Sequence, residues 1–475
     1  MKFVYSILLL FLILTACRKD NFYDNSDARL SFSIDTLQFD TVFTNMGSAT
    51  LWFKVYNNYN KSINISRIAL AGGSASDFYI NIDGQSSPLS ENVSLKPNDS
   101  LYIFATVRID PNNGDAIRED SILFTINGNQ QSVLLQAYGW NADYIGSIGD
   151  TTIYENQNIT WGGSRPIVLF GWHVFENSTL NIQAGTKIYM YGGPTNRPFG
   201  RALIYIGNNS TINTGAGGSI NNLVEIRSHR LEEDFEAFPF HHDGIYLSRF
   251  SINNSIQNTL ISNATDAIKV DSLSANGNTK LTLSNVIIYN VERAGILART
   301  GNISAQNCLI ANSNQYGIVC IKGGEYNFQH CTFANYATTS FLSRKEPICS
   351  LRDYEIIEDE QGNRTSFTAP LNLLIENSII YGTRSEEVEV LRDAFQPTSS
   401  NIAFNTCLIK KDTFSRHLNN CIFNQNPLFK DVDEYDYSLE NANSPAVNAG
   451  FSSSVTRDIL GNSRDAQPDL GAYEF

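Results

Sequence analysis

The hydrophobic residues between residues 29 and 142 alternate with polar residues along several short runs. The longest run places an apolar side chain at every second position from Leu101 to Ile109. Segments rich in Asn, Gly, Pro and Ser separate the runs, as at 45–48, 71–74, 96–99 and 127–129. A period of two is typical of strands that bury one face, and several short strands with regular turns predict an antiparallel β-sandwich. We therefore expect residues 29–142 to form an all-β domain.

A different pattern begins near residue 143 and repeats about every 22 residues. Asn285, Asn307 and His330 are 22 and 23 residues apart, and at each of them the alternation of apolar positions shifts by one. A third short apolar run follows each corner, as in Ile296 and Ile318, which are also 22 residues apart. Three short strands per repeat predict a right-handed parallel β-helix over residues 143–475. An antiparallel sandwich is the alternative, but it leaves the 22-residue register unexplained.

The predicted repeat also accounts for the cysteines. Cys308 and Cys331 fall in the same inward position of successive repeats, so we expect most cysteines in this region to be small buried core residues. An even number of cysteines outside the cytoplasm would also fit disulfides, and the pairing stays open. The six are Cys308, Cys320, Cys331, Cys349, Cys407 and Cys421.

The amino terminus resembles the signal peptide of bacterial lipoproteins. Lys2 precedes an apolar stretch of about a dozen residues, which is too short to span a bilayer and which ends in Leu14-Thr15-Ala16-Cys17. The resemblance implies cleavage after residue 16 and lipidation of Cys17 with diacylglycerol and an amide-linked acyl chain such as palmitate. Residues 17–28 would then be a tether at the cell outer membrane, on its periplasmic or its exposed side. An ordinary secretory signal is the alternative.

The repeat region resembles the pectin-lyase-like β-helix superfamily, and more closely Bacteroidetes-type lipoproteins with parallel β-helix repeats. The segments 178–188, 244–333 and 443–474 carry this resemblance, and the last one resembles the carboxy-terminal cap of extracellular β-helices, from about residue 426. Residues 29–142 resemble immunoglobulin-like modules of bacterial surface proteins, which act as spacers or bind ligands. The superfamily contains lyases, hydrolases, adhesins and inert stalks, so the resemblance implies the fold and leaves the function open.

Two groups of residues are candidates for chemistry on the β-helix. The segment His241-His242-Asp243 is a candidate acid/base or metal pair beside a groove, or alternatively a packed corner. Lys269, Arg299 and Lys322 follow related strands and predict an outward basic row that binds anionic glycan, with Tyr246 stacking on a sugar; a solvated face is the alternative. If the protein is an enzyme, Arg299 and Lys322 are catalytic candidates together with His241, His242 and Asp243. If the protein were a lyase, the resemblance would imply Ca²⁺ as a cofactor; otherwise no cofactor and no metal are expected, since Cys and His lack metal-ligand spacing.

A short motif, Asp followed by Ser or Thr and an aliphatic residue, resembles the O-glycosylation signal of exported Bacteroidetes proteins. Four of the five copies lie in the first domain, as expected of a glycan-coated stalk, although strand starts favour the same residues. The candidate acceptors are Thr36, Thr41, Ser100, Ser121 and Ser272.

Composition narrows the function classes. The chain has 475 residues and a net charge of −14, which argues against nucleic acid as a partner because phosphate binding needs a basic surface. No compact catalytic constellation stands out. We therefore expect a membrane-anchored envelope protein whose β-helix binds glycan or another envelope protein without a clear catalytic site. A polysaccharide lyase or glycoside hydrolase, and a structural envelope component, are the alternatives.

Overall fold

The computed structural model describes residues 21–112, 116–193, 200–337, 341, 343–412 and 417–475. The chain divides into two compact units, Met1–Ala142 and Asp143–Phe475. The predicted signal peptide, Cys17 and the first residues of the tether lie outside the described residues. Within the described residues, no helix is long and apolar enough to cross a membrane.

The first unit contains two five-stranded sheets, ordered β1-β3-β8-β5-β6 and β2-β10-β9-β4-β7. All pairings are antiparallel except that of β10 with β2, which is parallel. The strands are β1 (Ser31–Phe32), β2 (Thr36–Phe43), β3 (Leu51–Tyr56), β4 (Ile63–Leu70), β5 (Phe78–Ile82), β6 (Gln85–Ser86), β7 (Leu89–Leu95), β8 (Ser100–Val107), β9 (Ile117–Ile126) and β10 (Asn129–Trp140).

The core of the first unit forms from the alternation seen in the sequence. Phe53, Ile103 and Phe124 are fully buried, while their neighbours along each strand point outward. Successive side chains of a strand point to opposite faces, so one face of each sheet supplies the core.

The second unit contains 28 further strands in chain order. They are β11 (Asp143–Glu155), β12 (Asn158–Trp161), β13 (Ile167–Glu176), β14 (Thr179–Ile182), β15 (Lys187–Met190), β16 (Leu203–Ile206), β17 (Thr211–Thr214), β18 (Val224–Ser228), β19 (Ile245–Leu247), β20 (Asn254–Ser262), β21 (Asp266–Asp271), β22 (Leu281–Tyr289), β23 (Ala294–Gln306), β24 (Leu309–Ala311), β25 (Tyr316–Gln329), β26 (Thr332–Asn335), β27 (Cys349–Arg352), β28 (Tyr354–Glu358), β29 (Arg364–Thr368), β30 (Leu371–Glu376), β31 (Ile379–Gly382), β32 (Val388–Leu391), β33 (Asn401–Asn405), β34 (Leu408–Ile409), β35 (Leu418–Asn419), β36 (Ile422–Phe423), β37 (Phe429–Asp431) and β38 (Asp436–Leu439).

Strands β11 to β27 and β30 to β36 form one 24-stranded sheet, in which the strands pair in parallel. They build three ladders that the chain visits in turn; we call each paired segment a rung. The first ladder begins at 143–146, 167–170 and 187–190, the second at 151–155, 172–175 and 203–206, and the third at 158–161, 179–182 and 211–214. Hairpins β28–β29 and β37–β38 are antiparallel. Including α1 (Glu233–Glu236), the described chain is nearly all-β, as predicted.

Left-handed corners connect the third ladder to the first. Asn285, Asn307 and His330 have φ of 55°, 50° and 50°, and the amide of Asn285 donates to Asn258 Oδ1 at 3.0 Å. Asparagine adopts this conformation more readily than most residues, because its short amide bonds to nearby polar groups. The shift in alternation at these positions is therefore the sign of a corner. Among the described residues, the non-glycine residues with positive φ at this corner are Asn258, Asn285, Asn307, His330, Asn377, Thr406 and Asn420.

The inward side chains of the three ladders form one continuous core, and most of the cysteines belong to it. Cys308 and Cys331 lie on adjacent rungs, with the Thr332 amide donating to the Cys308 carbonyl at 2.8 Å. Five of the six cysteines are buried, Cys421 is partly exposed, and all six are free thiols. The stacking of inward residues thus explains the cysteine positions without disulfides.

The segment from residue 426 onward, expected to be a cap, packs along the outer face of the first ladder. Leu309, Ala334 and Ile379 point away from the inner core, and there they form a second apolar cluster with Tyr437 and Leu470. The strands beneath are consequently buried on both sides, as the unbroken apolar run in Leu309–Ala311 indicates. Covering this flank removes apolar surface from water, which is the physical reason for the location.

Candidate functional site

The candidate His241-His242-Asp243 lies where the chain enters the second ladder. His242 is fully buried, its Nε2 lies 2.8 Å from the carbonyl oxygen of Ser262, and its Nδ1 accepts from the Gly244 amide at 3.1 Å. Because both ring nitrogens have partners, the imidazole is neutral, and burial lowers its pKa to about 4. This is the packed corner that the sequence left open as an alternative.

His241 is also packed rather than presented to solvent. Its Nδ1 lies 2.7 Å from Ser228 Oγ, and its ring packs edge-on against Phe238 at 5.1 Å between centroids. Burial, together with Arg230 and Arg201, lowers the pKa of His241 to about 4. Neither histidine carries a charge near neutral pH.

Asp243 belongs to a network of two carboxylates and two guanidinium groups. Arg201 lies 3.7 Å from the Asp243 carboxylate, and Thr265 donates to the same carboxylate at 3.1 Å. One rung further, Asp266 receives two hydrogen bonds from Arg293. Arg201 and Arg293 are residues that the sequence analysis did not single out, and each of the two carboxylates is paired with a guanidinium group.

The chain turns sharply at Gly244 as it enters the second ladder. Its φ is +69°, and a Cβ at this position would collide with the carbonyl oxygen of Asp266 on the next rung. The glycine therefore allows the two aspartates to lie on neighbouring rungs.

The expected basic row does not form. Lys269 aligns with Leu297 and not with Arg299, because the Ile268–Ile296 register sets Arg299 opposite Asp271. Lys322 falls one position beyond Ile321, which is the partner of Arg299. The physical reason is that the three basic residues follow their strands at different distances, so they occupy different columns of the ladder.

Each basic candidate also has a local partner. Arg299 binds the Glu355 carboxylate of hairpin β28–β29 at 2.6 Å, and this hydrogen bond raises the pKa of Arg299. Lys322 lies over the Phe367 ring of the same hairpin at 5.2 Å. Lys269 lies over the Tyr246 ring at 4.2 Å. Arg299 and Lys322 thus hold the hairpin against the second ladder.

Tyr246 is tied into the same surface. Its hydroxyl donates to Asp271 Oδ2 at 3.1 Å, and its ring meets Tyr205 edge-on at 5.1 Å. Burial and the Asp271 carboxylate raise the pKa of Tyr246 to about 12. The hydroxyl and the ring of Tyr246 therefore both make contacts within the protein.

The insertion that carries the hairpin is anchored by a buried ion pair. Arg344 and Glu387 pair with 3% and 0% of their side chains exposed, and the Glu387 carboxylate also accepts from the Ile348 amide at 3.1 Å. A buried pair with several hydrogen bonds fixes a loop strongly, since breaking it leaves an unpaired charge.

The outer face of the third ladder has a different character, because amides and hydroxyls dominate it. The Asn181 amide donates to Asn158 Oδ1 at 2.8 Å, and the Asn213 amide donates to Asn181 Oδ1 at 3.0 Å. The same type of bond recurs on later rungs, where the Gln306 amide donates to Ser284 Oγ at 3.2 Å. Uncharged hydrogen-bonding groups therefore repeat from rung to rung.

A shallow cavity of about 430 Å³ lies on this face, and we call it the amide cavity. The Asn302 amide donates to Glu325 Oε2 at 3.2 Å within it, while the buried Oδ1 of Asn327 has no hydrogen-bond partner among the described residues. Its lining residues are Thr279, Asn302, Ile303, Ser304, Glu325, Tyr326, Asn327, Asn372, Leu373, Leu374 and Asn401. Sequence reasoning missed this site; the signal available was the Asn, Ser and Gln residues at outward positions of every repeat.

The candidate O-glycosylation residues lie at strand starts, within strands and at a corner. The Ser100 amide donates to Asp99 at 2.8 Å and the Ser121 amide to Asp120 at 2.7 Å. Thr36 and Thr41 lie in β2, and Ser272 is a left-handed corner with φ of 67°. In the copies at Asp99-Ser100 and Asp120-Ser121, the aspartate of the motif thus has a local structural role as a hydrogen-bond acceptor.

Among the described residues, no group of three or more His, Cys, Asp and Glu residues could hold a metal ion. The cysteine thiols differ in their environment. Burial raises the pKa of Cys320 and Cys349, whereas a hydrogen bond from Cys407 lowers the pKa of the partly exposed Cys421 to about 7.

No protein-family model matches the chain, and no curated protein matches it. Similar solved structures include the catalytic domain of a GH87 alpha-1,3-glucanase in complex with tetrasaccharides (14% identity, 79% of this chain and 88% of that chain, TM-score 0.26). A family 123 glycoside hydrolase from Clostridium perfringens (10% identity, 28% and 30%, 0.19) and a Porphyromonas gingivalis protein of unknown function (12%, 27% and 59%, 0.18) are also similar. This chain thus spans about a third and about three fifths of those two chains. At these TM-scores the similarities carry no functional argument.

Proposed function

We propose that this protein is a lipid-anchored envelope protein whose second unit, a right-handed parallel β-helix, binds an uncharged glycan along its third ladder without cleaving it. The observation that carries the proposal is the amide cavity within a face of repeating amides and hydroxyls. A glycan is itself a repeating chain of hydroxyl groups, so it can pair with the same kind of side chain on successive rungs. The parallel register of the three ladders supports the β-helix.

The charges favour an uncharged glycan over a uronate polymer. The basic candidates Lys269, Arg299 and Lys322 have aromatic or acidic partners, and the amide cavity contains Glu325 and no basic residue among its described lining. A polyanion needs unpaired positive charge, which this face does not offer in the described residues.

The binding test uses the membrane-extracted chain in detergent and immobilised cellulose, xylan, mannan, glucans and polygalacturonate. We expect retention on at least one neutral polysaccharide and not on polygalacturonate. Asn327→Ala should weaken retention about fivefold, as the loss of a hydrogen bond of about 1 kcal/mol predicts. Gln361→Ala, which removes an exposed amide at a hairpin turn, is the matched control. Binding to polygalacturonate alone would contradict the proposal.

The lipid anchor is tested separately. Cys17→Ser should move the protein from the membrane fraction to the soluble fraction, and the intact mass of the native chain should include diacylglycerol and an acyl chain. Multiple acyl chains are needed for stable anchoring, so the loss of all of them predicts full release. Retention of the variant in membranes would show that another element anchors the chain.

Hydrolysis is the second candidate, because Asp243 and Asp266 place two carboxylates on adjacent rungs. Glycoside hydrolysis needs two carboxylates that flank the bond, and here each carboxylate is engaged by an arginine. Release of reducing ends from a polysaccharide, abolished by Asp243→Asn, would establish the hydrolase. Absorbance of unsaturated uronate from polygalacturonate would instead indicate a lyase.

A further inference from the structure

One sheet of the first unit presents aromatic side chains outward on three neighbouring strands. The strand register sets Trp52 of β3 opposite Phe104 of β8, and Phe104 opposite Asn81 of β5. Lys54 is opposite Tyr102 in the same way. Because their neighbours along each strand fill the core, these residues lie on the outer face of the sheet.

The rings on this face are exposed, and those of Trp52, Tyr102 and Phe104 form a chain of contacts. The exposed fractions are 52% for Trp52, 58% for Tyr79, 40% for Tyr102 and 36% for Phe104. Trp52 meets Tyr102 edge-on at 5.2 Å between centroids, and Tyr102 stacks with Phe104 at 6.0 Å. A sheet that serves only as a spacer gains nothing from a contiguous exposed aromatic surface, which marks a binding face in soluble proteins.

A contrast within the same unit strengthens this reading. The other sheet carries Gln130, Ser132 and Gln136 at outward positions of β10, and the aromatic residues at outward positions of this strand are Tyr138 and the half-buried Trp140 near its end. The aromatic surface is thus a property of one sheet and not of the whole unit.

Tyr79 and Phe104 also line a cavity of about 710 Å³. Its described lining contains six Ser and Thr residues, the amide of Asn81 and no Asp, Glu, Lys, Arg or His residue. The Asn81 amide donates to Ser86 Oγ at 3.2 Å, whereas its buried Oδ1 has no partner among the described residues.

This chemistry selects one class of ligand. Small-molecule sites have volumes of about 300–1,000 Å³, whereas a stable protein partner covers about 800 Å² on each side of a broad interface. An uncharged lining offers no counter-charge to an ionic ligand. Aromatic rings beside hydroxyl and amide groups suit a ligand with apolar C–H faces and many hydroxyls, and such a hydroxyl can supply the donor that Asn81 Oδ1 lacks once the amide turns toward it.

We infer that the first unit carries its own site for an uncharged oligosaccharide, formed by the cavity at Tyr79, Asn81 and Phe104. This site stands independently of the amide cavity of the second unit. The first unit is then a sugar-binding module and not only a spacer.

The test measures binding of cellohexaose, xylohexaose, maltohexaose and mannohexaose to the full chain in detergent by isothermal titration calorimetry. At least one hexasaccharide should bind, and Tyr79→Ala and Asn81→Ala should each weaken that binding about tenfold while the unfolding midpoint stays unchanged. Tyr138→Ala, which removes an aromatic side chain that is 47% exposed on the other sheet, should have no effect.

The outcomes separate this inference from the proposed function. Binding that is lost in Asn327→Ala but unchanged in Tyr79→Ala and Asn81→Ala overturns the site in the first unit and leaves the amide cavity standing. The absence of binding to all four hexasaccharides also overturns the inference, as does binding that Tyr138→Ala weakens equally. Loss only in the Tyr79 and Asn81 variants supports the first-unit site alone.

Discussion

Replacing Asn285 by glycine or by alanine tests whether the corner is left-handed. Both substitutions remove the amide bond to Asn258 Oδ1 and the bond that the Asn307 amide makes to Asn285 at 3.3 Å. Alanine keeps the steric cost of a Cβ at φ of 55°, which is about 1 kcal/mol, whereas glycine removes it. We therefore expect alanine to destabilise this region more than glycine, by about a fivefold change in the local opening equilibrium.

Ser284, the preceding residue of β22, is the matched control because its backbone does not have the positive φ of Asn285. There glycine should be the worse substitution, by about 0.5–1 kcal/mol, since it loses more backbone freedom on folding. Hydrogen exchange with mass spectrometry on peptides from 281–289 measures both pairs, with peptides from 100–107 as the internal reference. If alanine and glycine at 285 are equivalent, or rank as they do at 284, the left-handed corner is wrong.

The pKa of His242 is about 4 in the folded protein and about 6.5 in the unfolded chain, so folding favours the neutral imidazole. The free energy of unfolding should therefore fall by about 3 kcal/mol as the pH is lowered from 6.5 to 4. Urea unfolding of His242→Asn should depend less steeply on pH over this range. Glu387→Gln should cost about 3–5 kcal/mol in urea unfolding, because it leaves Arg344 buried and unpaired. Arg299→Ala should change stability by no more than about 1 kcal/mol, since 41% of the side chain is exposed, and should leave retention on neutral polysaccharide unchanged. Iodoacetamide at pH 7.5 should label Cys421 before the buried cysteines, as peptide mapping would show, because its thiol is partly exposed and its pKa is about 7.

The sequence was most informative where a local change in the hydrophobic pattern marks a specific backbone conformation. Asn285, Asn307 and His330 mark a change in alternation, and the structure has a left-handed residue at each. The same periodicity identified Cys308 and Cys331 as core residues on adjacent rungs. Backbone preference depends on neighbouring residues, and inward stacking depends on neighbouring repeats. Both therefore leave a pattern that can be recognised in a single sequence.

Side-chain partners were not accessible in the same way. Arg299 meets Glu355, which is 56 residues later, and the basic row failed because alignment depends on the exact rung register. The location of the carboxy-terminal segment could have been suspected from Leu309 and Ile379, whose apolar side chains occupy outward positions. The hydrophobic periodicity shows that this flank is apolar. It does not show which distant segment of the chain covers the flank.

The docking of residues 426–475 has a consequence for the order in which the second unit folds. A stacked repeat array is able to assemble progressively as each repeat emerges, because every repeat contacts mainly its neighbours. Here the apolar flank that includes Leu309, Ala334 and Ile379 is covered only once Leu470 and Tyr473 have docked on it. A chain cut short before these residues by proteolysis or a premature stop codon would therefore expose an apolar surface along rungs that are otherwise complete, and exposed apolar surface of this kind promotes aggregation.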